Sequence, residues 1–146
     1  FVGLFFICYI YNMDNNQIGC LAEYKFATVA MELGFYVSFP LLNTSRYDCI
    51  IETSKGLFKI QVKSVQKNRD RSRVFIRDTK NNNYKKKDVD FFAIYFQEKD
   101  GFFIIKNDGI AKSLELTSAK YSKFFNNFAE LWMFFNFVFL QKGAAN

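Results

Sequence analysis

Asp48-Cys49-Ile50-Ile51-Glu52-Thr53-Ser54-Lys55-Gly56-Leu57-Phe58-Lys59-Ile60-Gln61-Val62-Lys63 is the stretch that decides the fold. Two runs rich in β-branched and aromatic residues, 47–53 and 57–65, flank the turn signal Ser54-Lys55-Gly56, and this predicts a hairpin. Strand side chains alternate between faces. In the first strand Asp48, Ile50 and Glu52 share a face, opposite Cys49 and Ile51. In the second, Lys59, Gln61 and Lys63 oppose the apolar Phe58, Ile60 and Val62. That apolar set predicts a Lys-Gln-Lys face open to solvent or to a site. A hairpin closed at Lys55-Gly56 brings Asp48 near Gln61 and Lys63.

One carboxylate, one amide carbonyl and one ammonium suit phosphodiester hydrolysis. A hard cation, Mg2+ (or Mn2+), takes oxygen ligands, which Asp48, the Gln61 side-chain carbonyl and a neighbouring backbone carbonyl can supply. Such a metal polarises a scissile phosphate and acidifies its bound water. Lys63 can orient or deprotonate that water, or stabilise charge developing on phosphorus. Glu23, further upstream, can add an outer carboxylate or hold a second metal. The competing reading of the same strand pair is a solvated charged face.

Working outward, residues 18–34 carry a helical pattern: Ala22, Phe26, Val29 and Leu33 form one apolar stripe, and Gly34 supplies the stop. Gly19, Glu23, Ala27 and Ala30 lie on an adjoining face of small residues. Further strands are expected at 35–39, 73–77, 89–96 and 101–106, and a last helix over 118–135. Helix, several strands, helix is the order of an α/β or α+β fold with a mixed central sheet.

The chain has 146 residues, one domain's worth, and half are hydrophobic, with 20 phenylalanines and 8 tyrosines. So much apolar surface excludes general disorder. There is no histidine, which excludes Ser-His-Asp and Cys-His catalysis and His-rich metal sites. Three cysteines without a CxxC pair argue against a disulfide framework or structural zinc and make a reducing cytoplasm the expectation. Cys20 and Cys49 read as small buried apolar residues. The apolar runs 1–10 and 130–140 are shorter than the roughly 20 residues that span a bilayer. Residues 1–12 read as an upstream or non-native extension, 13–135 as the functional domain and 136–146 as a tail.

Charge is concentrated. Residues 57–87 hold eleven Lys or Arg against two acids, so the net +6 of the chain resides there. Such asymmetry suits a phosphate-binding surface and makes double-stranded DNA the expected partner. Arg69, Arg71, Arg73 and Arg77 alternate with Val74 and Ile76, as in a ribbon that presents arginines to a major groove. Lys67, Lys80, Lys85, Lys86 and Lys87 complete the expected DNA-binding set, with 80–87, including Tyr84, read as a mobile loop.

Gly19-x-x-Ala22-Glu23, Gly34-x-x-Val37, Pro40, Tyr47-Asp48 and Gln61-Val62-Lys63-Ser64 together resemble the PD-(D/E)XK nuclease superfamily, and within it the intron-encoded homing endonuclease of that type. The resemblance covers about residues 17–132. It implies a restriction-endonuclease-like core and places the helix glutamate on Glu23, the motif aspartate on Asp48 and the motif lysine on Lys63. The acid two residues before the lysine is replaced by Gln61, a weaker magnesium ligand than a carboxylate, and Tyr47 stands in the proline position. The resemblance further implies double-strand cleavage of a long target by a homotetramer, with a dimer as the minimum. A Holliday-junction resolvase, a restriction-like nuclease and an inert DNA-binding module are the alternatives. The aromatic stripe Tyr121, Phe124, Phe125, Phe128, Leu131, Trp132 and Phe135 reads either as a subunit interface or as core.

Overall fold

The computed structural model describes residues 13–42, 44–65, 72–78 and 80–132; the expected extension 1–12 and tail 136–146, and also Lys67, Arg69 and Arg71, lie outside them. Helix α1 spans Asn15–Glu32. It starts earlier than its apolar stripe because Asp14 caps it. The Asp14 carboxylate accepts the Gln17 N–H at 2.8 Å, and the Gln17 side chain accepts the Asp14 N–H at 2.9 Å. It stops at Gly34, whose φ of +86° lets Gly34 N–H reach Met31 O and Phe35 N–H reach Ala30 O.

Among the described residues seven strands follow: β1 (Tyr36–Ser38), β2 (Cys49–Thr53), β3 (Gly56–Val65), β4 (Arg73–Phe75), β5 (Phe91–Phe96), β6 (Gly101–Lys106) and β7 (Ser113–Glu115). Five form a sheet in the order β1-β2-β3-β5-β6, with β3 and β5 parallel and the other pairs antiparallel. The class is α/β with a mixed central sheet, as expected. β4 and β7 form a separate antiparallel ribbon. β7 has no counterpart among the expected strands, because Ser-Leu-Glu is too short to carry a periodic signal.

Both faces of the sheet are covered. On one, Ala22, Phe26 and Ala30 of α1 pack with Ile51, Ile60, Val62 and Leu131. On the other, Phe92, Ile94, Phe96, Phe103 and Ile105 pack with Val74, Ile76, Leu114, Leu116 and Tyr84. All six residues of β5 are buried, the continuous apolar run of a strand with layers on both sides. Of the two expectations for the Lys-Gln-Lys face, opening to solvent is therefore corrected. Phe92 and Ile94 stand beside Gln61 and Lys63 on β3, and burying them brings a second layer over that face.

The expected last helix is also corrected. It is two short pieces, α2 (Ala119–Ser122) and α3 (Ala129–Trp132), separated by Asn126 at φ +49°. Between them Phe125 bridges to Phe103, and Asn126 exchanges hydrogen bonds with Phe102. Pairing with the β6 edge satisfies backbone groups there and breaks the helix. The aromatic stripe divides accordingly: Tyr121, Phe124 and Phe125 pack on one core, Phe128 and Leu131 on the other. These five are core packing and form no single outward patch. The side chains of Trp132 and Phe135 lie outside the described residues. Cys49 is buried as expected, whereas Cys20 is exposed.

Candidate active site

β2 begins only at Cys49, opposite Ile60, while β3 runs past that pair to Val65 against β5. The sheet thus forks, and the β3 edge beyond Ile60 needs a partner other than β2. Asp48 supplies it. Its N–H donates to Ile60 O at 2.8 Å, and its Oδ2 accepts the Val62 N–H at 2.6 Å. The same oxygen accepts Gln61 Nε2 at 2.5 Å. Lys63, next on that face, donates from Nζ to Arg77 O at 3.3 Å and lies 5.3 Å from the centre of the Tyr84 ring. Glu23 approaches from α1. With Asp48, Phe39, Pro40, Leu42, Ser45 and Tyr47 it lines a cleft of about 260 Å³. The structure therefore brings together all four residues singled out in the sequence.

Burial, and then the Asp48 charge, push the Glu23 carboxyl above the usual carboxylate range. Burial also raises Asp48; the Val62 N–H, Lys63 and the Gln61 amide pull it down without cancelling that effect. Burial holds the Lys63 ammonium below its ordinary value, against the charges of Asp48 and Asp78. Two acids held toward protonation beside a destabilised cation form an arrangement with functional character.

The donor set fits a hard cation in part. Glu23 and Asp48 are oxygen donors in one cleft, and their mutual repulsion is relieved by a positive ion between them. Among the described residues no cluster of three or more His, Cys, Asp or Glu exists, so protein carboxylates alone do not complete a coordination sphere. Magnesium ordinarily keeps several waters, so a two-carboxylate site suffices. One detail departs from expectation. The Gln61 amide nitrogen, not its carbonyl, meets Asp48, because the ionised carboxylate accepts hydrogen bonds and cannot donate one.

Tyr84 is a site residue that the sequence does not single out. Surrounded by Asn and Lys, it reads as part of a mobile loop, yet only 6% of it is exposed. Its ring packs edge-on against Phe92 at 5.6 Å, and burial, then Asp48 and Asp78, push its phenol up to about 12. An aromatic alone in a charged run is the available signal. The basic residues separate likewise. Lys80, Lys85, Lys86 and Lys87 are exposed. Arg73 is exposed on the ribbon, with Nε 3.5 Å from Glu115. Arg77 is half-buried, its Nη1 bonded to the exposed Asn81 at 2.7 Å and its buried Nε without a hydrogen bond.

A model of the PD-(D/E)XK endonuclease family matches residues 13–123. The chain belongs to that family. The match makes it a nuclease, with DNA as the substrate that the family implies. The solved structure of a bacterial homing endonuclease, I-Ssp6803I, is similar to this nuclease at TM-score 0.70 and 23% identity, over 92% of this chain and 98% of that one. The likeness establishes the shared restriction-endonuclease-like fold. No curated protein matches the nuclease. Among the described residues, no helix is long and apolar enough to cross a membrane.

Proposed function

We propose that this nuclease is a divalent-metal-dependent homing endonuclease that makes double-strand breaks in a long DNA target. The convergence of Gln61 and Lys63 on Asp48 at the sheet fork, with Glu23 lining the same cleft as Asp48, carries the reading. Asp48 and Glu23 would hold Mg2+ (or Mn2+), with the Gln61 carbonyl available once the amide rotates. When bound, the ion supplies Lewis acidity at the scissile phosphate and a more acidic water. Lys63, partly desolvated, stabilises the charge that develops on phosphorus. The exposed lysines at 80 and 85–87, with Arg73, bind phosphates or base edges; Lys67, Arg69 and Arg71 extend the same basic segment. Arg77 supports the site from within, through its carbonyl on Lys63.

The family match and the fold shared with a homing endonuclease support this reading. One such domain has one centre and cuts one strand, so a double-strand break needs at least two copies. A dimer is the minimum and a homotetramer the assembly we favour.

Incubation with supercoiled plasmid, with magnesium or with chelator, tests the proposal. Magnesium should yield linear product; Asp48→Ala and Lys63→Ala should abolish it while gel-shift affinity persists. DNA binding by the unaltered protein with no cleavage in magnesium would mark an inert binding module. Preference for a four-way junction over linear duplex would mark a resolvase.

A further inference from the structure

One side of the cleft is lined by uncharged side chains. Residues 39–45, Phe-Pro-Leu-Leu-Asn-Thr-Ser, carry no charge in a chain of net +6. Leu41 is 99% exposed, Leu42 66% and Phe39 51%. Such an apolar cluster on a small domain calls for an occupant. The cluster is anchored at its start: Phe39 meets the ring of Tyr24 on α1 at 6.1 Å, and Pro40 stiffens the chain before Leu41. Phe39, Pro40 and Leu42 also line the cleft that holds Glu23 and Asp48.

That shared wall selects the occupant. A second protein copy seated on Phe39 and Leu42 would close the cleft over both carboxylates and shut out the phosphodiester. The substrate itself can cover the loop and still present its phosphate. Beside a scissile phosphate, DNA offers apolar contact at its deoxyribose rings, its base edges and its stacked base faces. A neutral leucine pair gains nothing from phosphates but can press between bases from the minor groove.

We propose that Leu41 and Leu42 form an apolar wedge that enters the DNA minor groove and unstacks the base step beside the scissile phosphate. The inference rests on the nuclease reading of the same cleft. Both side chains are exposed, so replacing them leaves the cores intact.

The test compares the unaltered protein with Leu41→Ser/Leu42→Ser on two duplexes built on a cleavage site mapped on plasmid. One is fully paired, and the other carries a mismatch at the adjoining step. The double variant should lose about tenfold or more in kcat/KM on the paired duplex and recover most of it on the mismatched one, where unstacking is already done. A 2-aminopurine at that step should brighten on binding the unaltered protein and stay dark with the variant. Equal loss on both duplexes, no loss on either, or a changed sedimentation coefficient without DNA overturns the wedge. A cleft that is not an active site shows itself separately: Asp48→Ala then cuts both duplexes like the unaltered protein.

Discussion

Gln61 and Asp48 are a pair whose geometry depends on charge. With Asp48 ionised, the amide nitrogen is the end of Gln61 that can satisfy the carboxylate. Gln61→Ala should therefore lower kcat while leaving DNA affinity unchanged, and Gln61→Glu should retain activity with an altered magnesium-to-manganese preference. Equal rates for Gln61→Ala and the unaltered protein would remove Gln61 from the reaction. Tyr84 calls for a paired comparison. Tyr84→Phe keeps the ring face beside the Lys63 ammonium and should cut normally, whereas Tyr84→Leu should lose about tenfold in kcat, the scale of a desolvated cation–π contact. The carboxylates give a pH prediction. In chelator, Glu23 and Asp48 have folded-state pKa values above their unfolded ones. That contribution to stability is fully present below the unfolded values and is lost as pH rises through the raised ones. Glu23→Gln, which cannot ionise, should raise Tm at neutral pH and leave it unchanged at about pH 2–3, below the ordinary carboxylate range. Asp48, Gln61 and Lys63 are legible in the sequence because a period of two and a short turn fix the hairpin register. Glu23 is legible only through its motif, since helical periodicity places it beside small residues and not opposite Asp48. Tyr84 is hidden because its burial is created by β5, a strand remote from β3 in sequence but adjacent to it in space.

Elements are legible where both their interior pattern and their ends are encoded locally. α1 has the Asp14 cap at one end and Gly34 at the other, and Gly34→Ala should cost about 1 kcal/mol in urea unfolding by placing a Cβ at positive φ. The helix expected over 118–135 fails for the opposite reason. Its apolar spacing is helical, but backbone groups at the β6 edge draw Asn126 and Phe125 into pairing, a tertiary effect that no local window carries. The basic segment divides at this scale as well. Neutralising Lys85, Lys86 and Lys87 together should weaken binding to every sequence and reduce the salt slope by roughly one for each phosphate left without its lysine. Changing Arg73 should relax preference at one target position, measured by cleavage of a randomised library. Uniform loss in both sets would remove the ribbon from base reading.

At the scale of the whole molecule, the order β1-β2-β3-β5-β6 sets the catalytic strand beside a strand that follows it by a long connection. Parallel neighbours cannot be joined by a tight turn. Residues 66–90 span that gap, leaving β3 just after Lys63 and entering β5, the strand buried along its whole length. Much of the chain's positive charge lies within them. What a parallel pair demands as a crossover is thus the same stretch that, in the proposed function, meets the nucleic acid. Entropy makes such connections tolerant of changes in length, because doubling a loop adds only about 0.6 kcal/mol. Cutting and choosing where to cut can therefore change independently at the exposed positions of the crossover, while Val74, Ile76, Arg77 and Tyr84 stay tied to the core and to Lys63. A descendant can vary the exposed residues around Lys80 and Lys85–Lys87 to address a new sequence while Asp48 stays clasped to Val62. In evolutionary terms the fork would be the inheritance, and the exposed part of the crossover the place open to divergence.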